Sequence, residues 1–217
     1  MIKLVILGGS GIGMIAASIA NDLGYYRIMG FLNDVEKAGT LIGNYNKIPV
    51  IGTTSDVQSM LDDDVYFFVG YVGMKREEEV FNKILNLNIP RNKFATLIHP
   101  RAIIPKGFCE IGNGVLIAPN AQLSPDTNID DNCIILGNTI IGHNSKLKRF
   151  AHVAASGHVG ANVVLGKGVH IGSNATLREK ISIGDFSIVG SGSVVLNDVP
   201  ENTIVVGNPA RILKKKE

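Results

Sequence analysis

The most constraining feature of the chain is a six-residue repeat in its second half. Every sixth residue from Ile111 to Val195 is Ile, Leu or Val, without exception. A period of six matches neither the 3.6 residues of an α-helical turn nor the two-residue alternation of a strand. It predicts a solenoid with three flat sides of six residues each, stacked in about five coils of eighteen residues.

A second register supports the same prediction. The residue four places after each aliphatic is small or Val in all cases but Ile181, and Gly often follows the aliphatic directly. We expect the aliphatic side chains to point inward, the small ones to fill the space near the corners, and Gly to help the backbone turn. Stacked coils would then pair their strands in parallel around one apolar column.

The first hundred residues have a different sequence pattern. Ile2–Leu7 is a short apolar stretch, followed by a glycine-rich turn at residues 8–13 and a predicted helix at residues 14–23 that Gly24 ends. A strand, a glycine turn and a helix form the βα unit that binds phosphate groups at the helix N-terminus. Glycines in this turn also allow a strand and a helix to pack closely. The turn alone therefore does not distinguish phosphate binding from tight packing.

Further strands and a helix alternate along this half. We predict that a strand ends at residues 31–34, that Val65–Val69 and residues 96–98 are strands, and that residues 75–87 are helical. This alternation predicts a small parallel α/β sheet, too short for two mononucleotide-binding halves. We expect residues 1–100 to form this half-Rossmann α/β domain and residues 101–217 to form the solenoid with a C-terminal cap.

Two segments carry a resemblance to a known family. The hexad pattern, and the stretch Gly207-Asn208-Pro209-Ala210-Arg211 that follows it, are similar to the hexapeptide-repeat acyltransferases. With the glycine-rich first domain, the chain resembles bacterial nucleotide-sugar N-acetyltransferases of the sialic acid O-acetyltransferase-like family, which includes UDP-4-amino-sugar and GDP-perosamine acetyltransferases. The resemblance implies a left-handed parallel β-helix, although the general rule for parallel crossovers favours the right hand.

The resemblance implies a nucleotide-sugar site in the first domain. Carried over by position, the contacts are Ser10, Gly11, Ile12, Asn33, Asp34 and Gly70. The family often has a polar residue such as His where this chain has Ile12, and two acidic residues where it has Asn33 and Asp34. These departures leave open which nucleotide the acceptor carries, UDP, GDP, dTDP or CMP.

The resemblance also implies a catalytic pair and an acetyl-CoA site. His143 matches the family's general base, and Asn144 stands where the family usually has Glu or Asp. An amide orients the ring without stabilising the imidazolium by charge, so we expect a weaker base, or a carboxylate from elsewhere. The positions that match acetyl-CoA contacts are His152, Ala161, Ser173, Ser191 and Arg211.

The histidines of the solenoid are expected to face outward. His152, His158 and His170 each precede an inward aliphatic, and His152 and His170, eighteen residues apart, should stack on adjacent coils. His99, at the predicted domain boundary, is interpreted as structural.

Together these features predict an acetyl-CoA-dependent N-acetyltransferase that acts on a nucleotide-linked amino sugar. The amine attacks the thioester directly while His143 takes its proton, at a cleft between the subunits of a homotrimer. Two alternatives stay open, a sugar O-acetyltransferase and a non-catalytic nucleotide-sugar-binding partner. A zinc-dependent carbonic anhydrase on the same solenoid is disfavoured because His152 and His158 are six residues apart, and we predict no metal.

Composition sets the remaining limits. A net charge of +2 gives no reason to expect nucleic acid, and the basic run at residues 214–216 suits a solvated tail or a phosphate contact. Cys109 and Cys133 are isolated thiols, which fits a reducing cytosol. The apolar start is too short for a signal sequence or a membrane span, so we expect a cytoplasmic protein without membrane insertion.

Overall fold

The computed structural model describes residues 1–71 and 76–216, which form an α/β domain followed by a three-sided parallel β-helix. The elements of the first domain are β1 (Ile2–Leu7), α1 (Ile12–Leu23), β2 (Tyr26–Leu32), β3 (Leu41–Ile42), β4 (Ile48–Gly52), β5 (Val65–Val69) and α2 (Glu77–Asn86), with 3-10 turns at Thr54–Met60 and Arg91–Lys93. The sheet order is β3-β4-β2-β1-β5, parallel except at the edge strand β3.

The first domain largely follows the sequence prediction. Strands β1 and β5 match it. Helix α1 begins two residues earlier than predicted and ends at Leu23, before Gly24, whose left-handed φ of 74° Gly adopts most easily. The predicted helix at residues 75–87 corresponds to α2, and Lys75 itself lies outside the described residues. The short β3 and β4 had no clear sequence signal.

One predicted strand belongs elsewhere. We expected residues 96–98 to close the first sheet, and this assignment is wrong. β6 (Leu97–Ile98) pairs in parallel with β8 (Leu116–Ile117) of the solenoid. The Leu97 N–H donates to the Val115 carbonyl, so the backbone has already joined the β-helix before the first complete coil.

The solenoid has three faces, numbered in chain order. Face 1 contains β7 (Cys109–Ile111), β10 (Thr127–Ile129), β13 (Lys146–Leu147), β16 (Val164–Leu165) and β19 (Ser182–Ile183). Face 2 contains β6, β8, β11 (Ile134–Ile135), β14 (His152–Val153), β17 (His170–Ile171), β20 (Ile188–Val189), β22 (Thr203–Val206) and the antiparallel β23 (Arg211–Lys215). Face 3 contains β9 (Gln122–Leu123), β12 (Ile140–Ile141), β15 (His158–Val159), β18 (Thr176–Leu177) and β21 (Val194–Val195).

The core of the solenoid confirms the hexad register. The repeated aliphatics from Ile117 to Val195 are at most 2% exposed, and only Ile111, at the open end of the column, is half-buried. The small register is buried as well, including hydroxyl side chains. Thr139 and Ser145 donate to the backbone carbonyls of Ala154 and Gly160, so these polar groups enter the column with partners.

The corners repeat a left-handed backbone conformation every six residues. The residues in this conformation are Gly114, Asn120, Asp126, Asn132, Asn138, Asn144, Phe150, Ser156, Asn162, Gly168, Asn174, Lys180, Phe186 and Gly192. Asn and Gly tolerate positive φ best, which explains the Asn-rich pattern. Phe150 and Phe186 are exceptions whose rings pack edge-on against Phe81 of α2, with centroids 5.1 and 5.7 Å away.

The first domain covers face 2 and leaves faces 1 and 3 open. The outward side chains Leu116 and Ile134 are buried in the same cluster as Ile6, Ala16 and Phe68 of the first domain. On face 3, by contrast, the outward Ile140 is 39% exposed. The chain therefore has one shared core between its domains and two uncovered solenoid faces.

Replacing Lys180 with Asn should stabilise the fold. Lys180 has a φ of 61° and its side chain is exposed, so it carries the strain of a left-handed corner without a compensating contact. We expect Lys180→Asn to raise the melting temperature by roughly 2–4 °C, equivalent to about 1 kcal/mol. Lys148→Asn, an exposed change outside the corner register, is the control. Equal shifts for both variants in thermal denaturation would contradict the prediction.

Candidate functional site

A large cavity lies at the carboxyl ends of β1 and β2, between the glycine-rich turn and α2. It has a volume of about 860 Å³, and its lining includes Gly8, Gly9, Ser10, Asn33, Asp34, Thr54, Tyr71 and Lys83. This is the place where open α/β sheets bind ligands, with the N-terminus of α1 available to an anion. Ser10, Asn33 and Asp34 of the predicted nucleotide-sugar contacts are brought together here.

The other three predicted contacts shape the turn. A β-carbon on Gly70 would lie 2.7 Å from the Gly13 Cα, and one on Gly13 would lie 2.1 Å from the Gly8 carbonyl oxygen. These glycines let the turn close directly onto the end of β5. Gly11 precedes α1 with a φ of 48°, and Ile12 packs into the core beneath that helix.

The side chains of Asn33 and Asp34 are already engaged. The Asn33 Oδ1 accepts the N–H groups of Val35 and Glu36 at 2.9 and 3.1 Å, which leaves its NH₂ group as the donor that this side chain can still offer in the cavity. Asp34 accepts both the N–H and the hydroxyl of Thr54 and pairs with Lys83. Partial burial works to raise the pKa of Asp34, but the Lys83 and Thr54 bonds outweigh it, and the pKa is lowered.

Thr54 and Lys83 were missed at the sequence level. They stand 20 and 49 residues from Asp34, on a 3-10 turn and on α2, and no short motif includes them. Only the folded sheet brings these elements to one edge.

The predicted base lies at the corner between faces 3 and 1. His143 and Asn144 are both exposed, and the His143 Nδ1 is 2.7 Å from the Asn144 Oδ1. An amide oxygen only accepts, so Nδ1 carries the hydrogen and Nε2 presents its lone pair to solvent. Asn144 has a φ of 60°. The left-handed corner is thus an independent reason for Asn at this position.

The predicted acetyl-CoA contacts are spread around the column within one chain. Ala161 lies one coil above His143 at the same corner, where the Asn162 N–H donates to the His143 carbonyl. Ser173 and Ser191 stack at the corner between faces 2 and 3, and Arg211 is exposed on β23. A single chain does not gather these residues into one site.

His152 and His170 point away from the column, as predicted, but they do not reach solvent as surface residues would. They are 6% and 7% exposed, because the first domain covers face 2. Their Nδ1 atoms are 3.0 Å apart, which confirms the stacking on adjacent coils. Burial lowers the pKa of His152 to about 3, helped by His170, and burial also lowers the pKa of His170.

The remaining histidines differ from this pair. His158 is exposed on face 3. The His99 Nδ1 accepts the Arg101 N–H at 3.0 Å, and its Nε2 lies 3.4 Å from an Asp22 carboxylate oxygen of α1. These contacts fit the structural interpretation of His99 at the domain junction.

The end of the basic run is anchored rather than solvated. Lys214 and Lys215 are exposed, but the Lys216 ammonium pairs with Glu77 at the start of α2 and donates to the Phe186 carbonyl at 2.8 Å. The expectation of a free tail or a phosphate contact is therefore wrong for Lys216. Lys216, directly after the C-terminal strand, instead links the start of α2 to the solenoid.

Within residues 1–71 and 76–216, no helix is long and apolar enough to cross a membrane. In the same part of the chain, no cluster of three or more His, Cys, Asp or Glu side chains has the arrangement of a metal site.

Comparisons with known proteins agree with this architecture. The PglD N-terminal domain matches residues 3–84, and the bacterial transferase hexapeptide repeat matches residues 108–143 and 162–197. The acetyltransferase domain of PglB from Neisseria gonorrhoeae, also solved with acetyl coenzyme A, is 27% identical, with a TM-score of 0.84 over 98% of this chain and 100% of that one.

Two further proteins show the breadth of the likeness. A mutant of perosamine N-acetyltransferase from Caulobacter crescentus, solved with CoA and GDP-perosamine, shares the fold at 20% identity and a TM-score of 0.83, covering 98% of this chain and 97% of that one. Galactoside O-acetyltransferase from Escherichia coli is 29% identical over 60% of this chain. The chain spans about half the length of that curated relative, 54% of it.

The β-helix is therefore left-handed, and the chain is an acyltransferase of the hexapeptide-repeat class. It combines a PglD-type N-terminal domain with the bacterial transferase hexapeptide repeats that follow it.

The buried histidine pair should make folding stability depend on pH. In the unfolded chain, histidines bind protons below their usual pKa of 6.5. In the folded chain, burial keeps His152 and His170 neutral. The charge of Glu77 works in the opposite direction and raises the pKa of His170, but burial is the larger effect. Stability is therefore full above pH 6.5. For His152 it is lost as pH falls from 6.5 toward 3, by up to about 1.4 kcal/mol per pH unit, and the lowered pKa of His170 adds a loss in the same direction.

Melting temperatures measured between pH 5 and pH 7.5 test this. We expect His152→Phe to flatten the decline toward low pH, and His158→Phe, on the exposed face, to leave it unchanged. A decline of wild-type steepness in His152→Phe would show that the pair does not control it.

Proposed function

We propose that the protein transfers the acetyl group of acetyl-CoA to the amine of a nucleotide-linked amino sugar, with His143 as the general base. The observation that carries the proposal is the His143–Asn144 pair on an open corner of an acyltransferase solenoid. Its Nε2 lone pair faces outward, where an incoming ammonium or amine can reach it. A largely protonated sugar amine must lose a proton to attack a thioester, and imidazole suits that task near neutral pH.

The first domain supports a nucleotide as the handle of the acceptor. The diphosphate would lie over the backbone N–H groups of the glycine-rich turn and the N-terminus of α1. Asn33 offers an amide donor, and Lys83 offers a cation beside Asp34. The neighbouring Arg76 and Glu79 line the same cavity. These groups suit the ribose, phosphate and base oxygens of a nucleotide, and they leave the base itself open.

The chain's own nucleophiles support direct attack on acetyl-CoA without an acyl-enzyme. Cys133 is fully buried in the column, and Cys109 donates to the Ser124 carbonyl. Burial raises the pKa of both thiols, so neither is a ready thiolate. The amine nitrogen bonds to the acetyl carbon as its proton passes to His143 and the carbon–sulfur bond of the thioester breaks. Protonated His143 returns that proton to the departing sulfur, so that CoA leaves as the thiol and the imidazole is restored. Isolated reduced thiols also suit the cytoplasmic location that we propose.

The geometry supports a homotrimer with sites between subunits. The nucleotide cavity belongs to the domain on face 2, whereas His143 occupies the opposite corner of the triangular column. A sugar held by one chain would therefore meet the His143 corner of a neighbouring copy. Small residues at the corners, Ala161, Ser173 and Ser191, would leave room for the pantetheine arm between two solenoids, and the exposed Arg211 would meet a CoA phosphate.

A sugar hydroxyl remains a second candidate acceptor. The galactoside O-acetyltransferase relative, 29% identical over 130 residues, acts on an oxygen acceptor, according to its name. A hydroxyl also needs a base at the position of His143, so the corner alone does not distinguish the two acceptors. The nucleotide cavity favours the amino sugar over a simple glycoside.

An acetyl-transfer assay tests the proposal. Purified protein is given acetyl-CoA with UDP-, GDP-, dTDP- or CMP-linked amino sugars, and with the hydroxyl analogues. We expect transfer to one nucleotide-linked amine, an at least ~100-fold loss in His143→Ala, and near wild-type turnover in the control His158→Ala. Asn144→Asp should move the acidic limb of the pH–rate profile to higher pH. No transfer to any amine, or a full-speed His143→Ala enzyme, would refute the proposal.

Ile140→Glu tests the assembly. Ile103 and Ile140 are apolar and exposed on face 3, at 58% and 39%, beside the His143 corner. We expect the wild type to sediment as three chains of 23.2 kDa. The charged variant should sediment as a monomer, keep its secondary structure and lose activity. An active wild-type monomer would contradict the shared site.

A further inference from the structure

A second, much smaller cavity lies where the first domain meets the solenoid. It has a volume of about 20 Å³, and Tyr71 and Glu77 line it from the first domain, Phe150 and His152 from the solenoid. A single water needs roughly 10–15 Å³ of such space and two to four polar partners. The cavity is therefore of the size that holds one ordered water.

Three buried polar atoms on residues that line this cavity have no hydrogen-bond partner among the described residues. They are the Tyr71 hydroxyl, the Asn132 Oδ1 and the His152 Nε2. A buried polar group without a partner costs about 1–3 kcal/mol, and native structures rarely leave one so. Of these, the Tyr71 hydroxyl can donate and the His152 Nε2 can accept, so one water in this space can serve as a partner to both.

We propose that one ordered water in this cavity joins the Tyr71 hydroxyl to the His152 Nε2, and that Tyr71 thereby positions the nucleotide cavity on the solenoid. The phenol donates to the water, and the water donates to Nε2. His152 then carries its hydrogen on Nδ1 and donates it to the His170 Nδ1, which is 3.0 Å away. In this arrangement the Tyr71 hydroxyl and both ring nitrogens of His152 have partners.

Tyr71 is suited to this role because it belongs to both cavities. Its ring also lines the large cavity, and a β-carbon on Gly8 would lie only 2.6 Å from the Tyr71 Cδ1, so the ring supports the glycine-rich turn directly. Burial, and then Asp34, raise the pKa of Tyr71 to about 12, so the phenol remains a donor at neutral pH. Fixing the hydroxyl fixes the ring and the turn above it.

The sign of a stability change tests the water. Tyr71→Phe removes the hydroxyl and keeps the ring. With a water-bridged hydroxyl, the variant should melt roughly 2–4 °C lower, because Nε2 and the water lose a partner. If the hydroxyl had no partner, its removal would leave the melting temperature unchanged or raise it, which would overturn the proposal. Tyr45→Phe, at a fully exposed tyrosine, is the control and should have no effect.

A spectroscopic measurement separates a hydrogen bond from simple packing. Nitrogen-15 NMR of the imidazoles should show His152 in the Nδ1–H form in the wild type. In Tyr71→Phe the His152 Nε2 signal should shift, whereas in Tyr45→Phe it should not. An unchanged His152 signal in Tyr71→Phe would exclude the bridge.

Binding measurements test the positioning role, which rests on the proposed function. We expect Tyr71→Phe to weaken nucleotide binding about threefold to tenfold, and to leave CoA binding unchanged. If the wild type binds no nucleotide, the proposed function fails while the melting and NMR results still judge the water. If nucleotides bind both proteins equally, the positioning role is wrong and the proposed function stands.

Discussion

The structure depends on a corner that the backbone can turn only in a left-handed conformation, repeated every six residues. Each corner ends one flat side and starts the next, so residues eighteen apart come to lie directly above one another. This constraint selects Asn and Gly at the corner and a large aliphatic inside the column. It also decides where a functional side chain can be, because only corners and outward strand positions are free of the packing requirement.

The three faces of the column have different surroundings, and this difference organises the molecule. Face 2 is covered by the first domain, whose apolar residues share a cluster with Leu116 and Ile134. The His143 corner lies on the opposite side, between the two open faces. An acceptor held over face 2 and a base on the far corner belong to one reaction only if another copy of the chain brings them together, which is why the catalytic and quaternary proposals stand or fall together.

Much of the fold could be predicted from the sequence because its main forces are local and periodic. The hexads gave the column and its inward side chains, and the run Ile2–Leu7 before the glycines gave the first βα unit. Contacts between distant segments could not be predicted this way. The burial of His152 depends on a domain more than fifty residues earlier, and the partners of Asp34 come from two other elements. Phe150 and Phe186 likewise occupy left-handed corners because their rings pack against Phe81, a contact that the sequence pattern does not reveal.

The contact between Lys216 and Glu77 has a consequence for the order in which the molecule is assembled. The two residues are 139 positions apart, and all of the stacked coils lie between them. A nascent chain exposes α2 long before it supplies the ammonium that holds the helix in place, and contacts of such long range form late. Helix α2, which lines the proposed nucleotide cavity, therefore gains this contact only after the last coil has folded. Formation of the contact between Lys216 and Glu77 therefore indicates that all coils of the column have stacked in register.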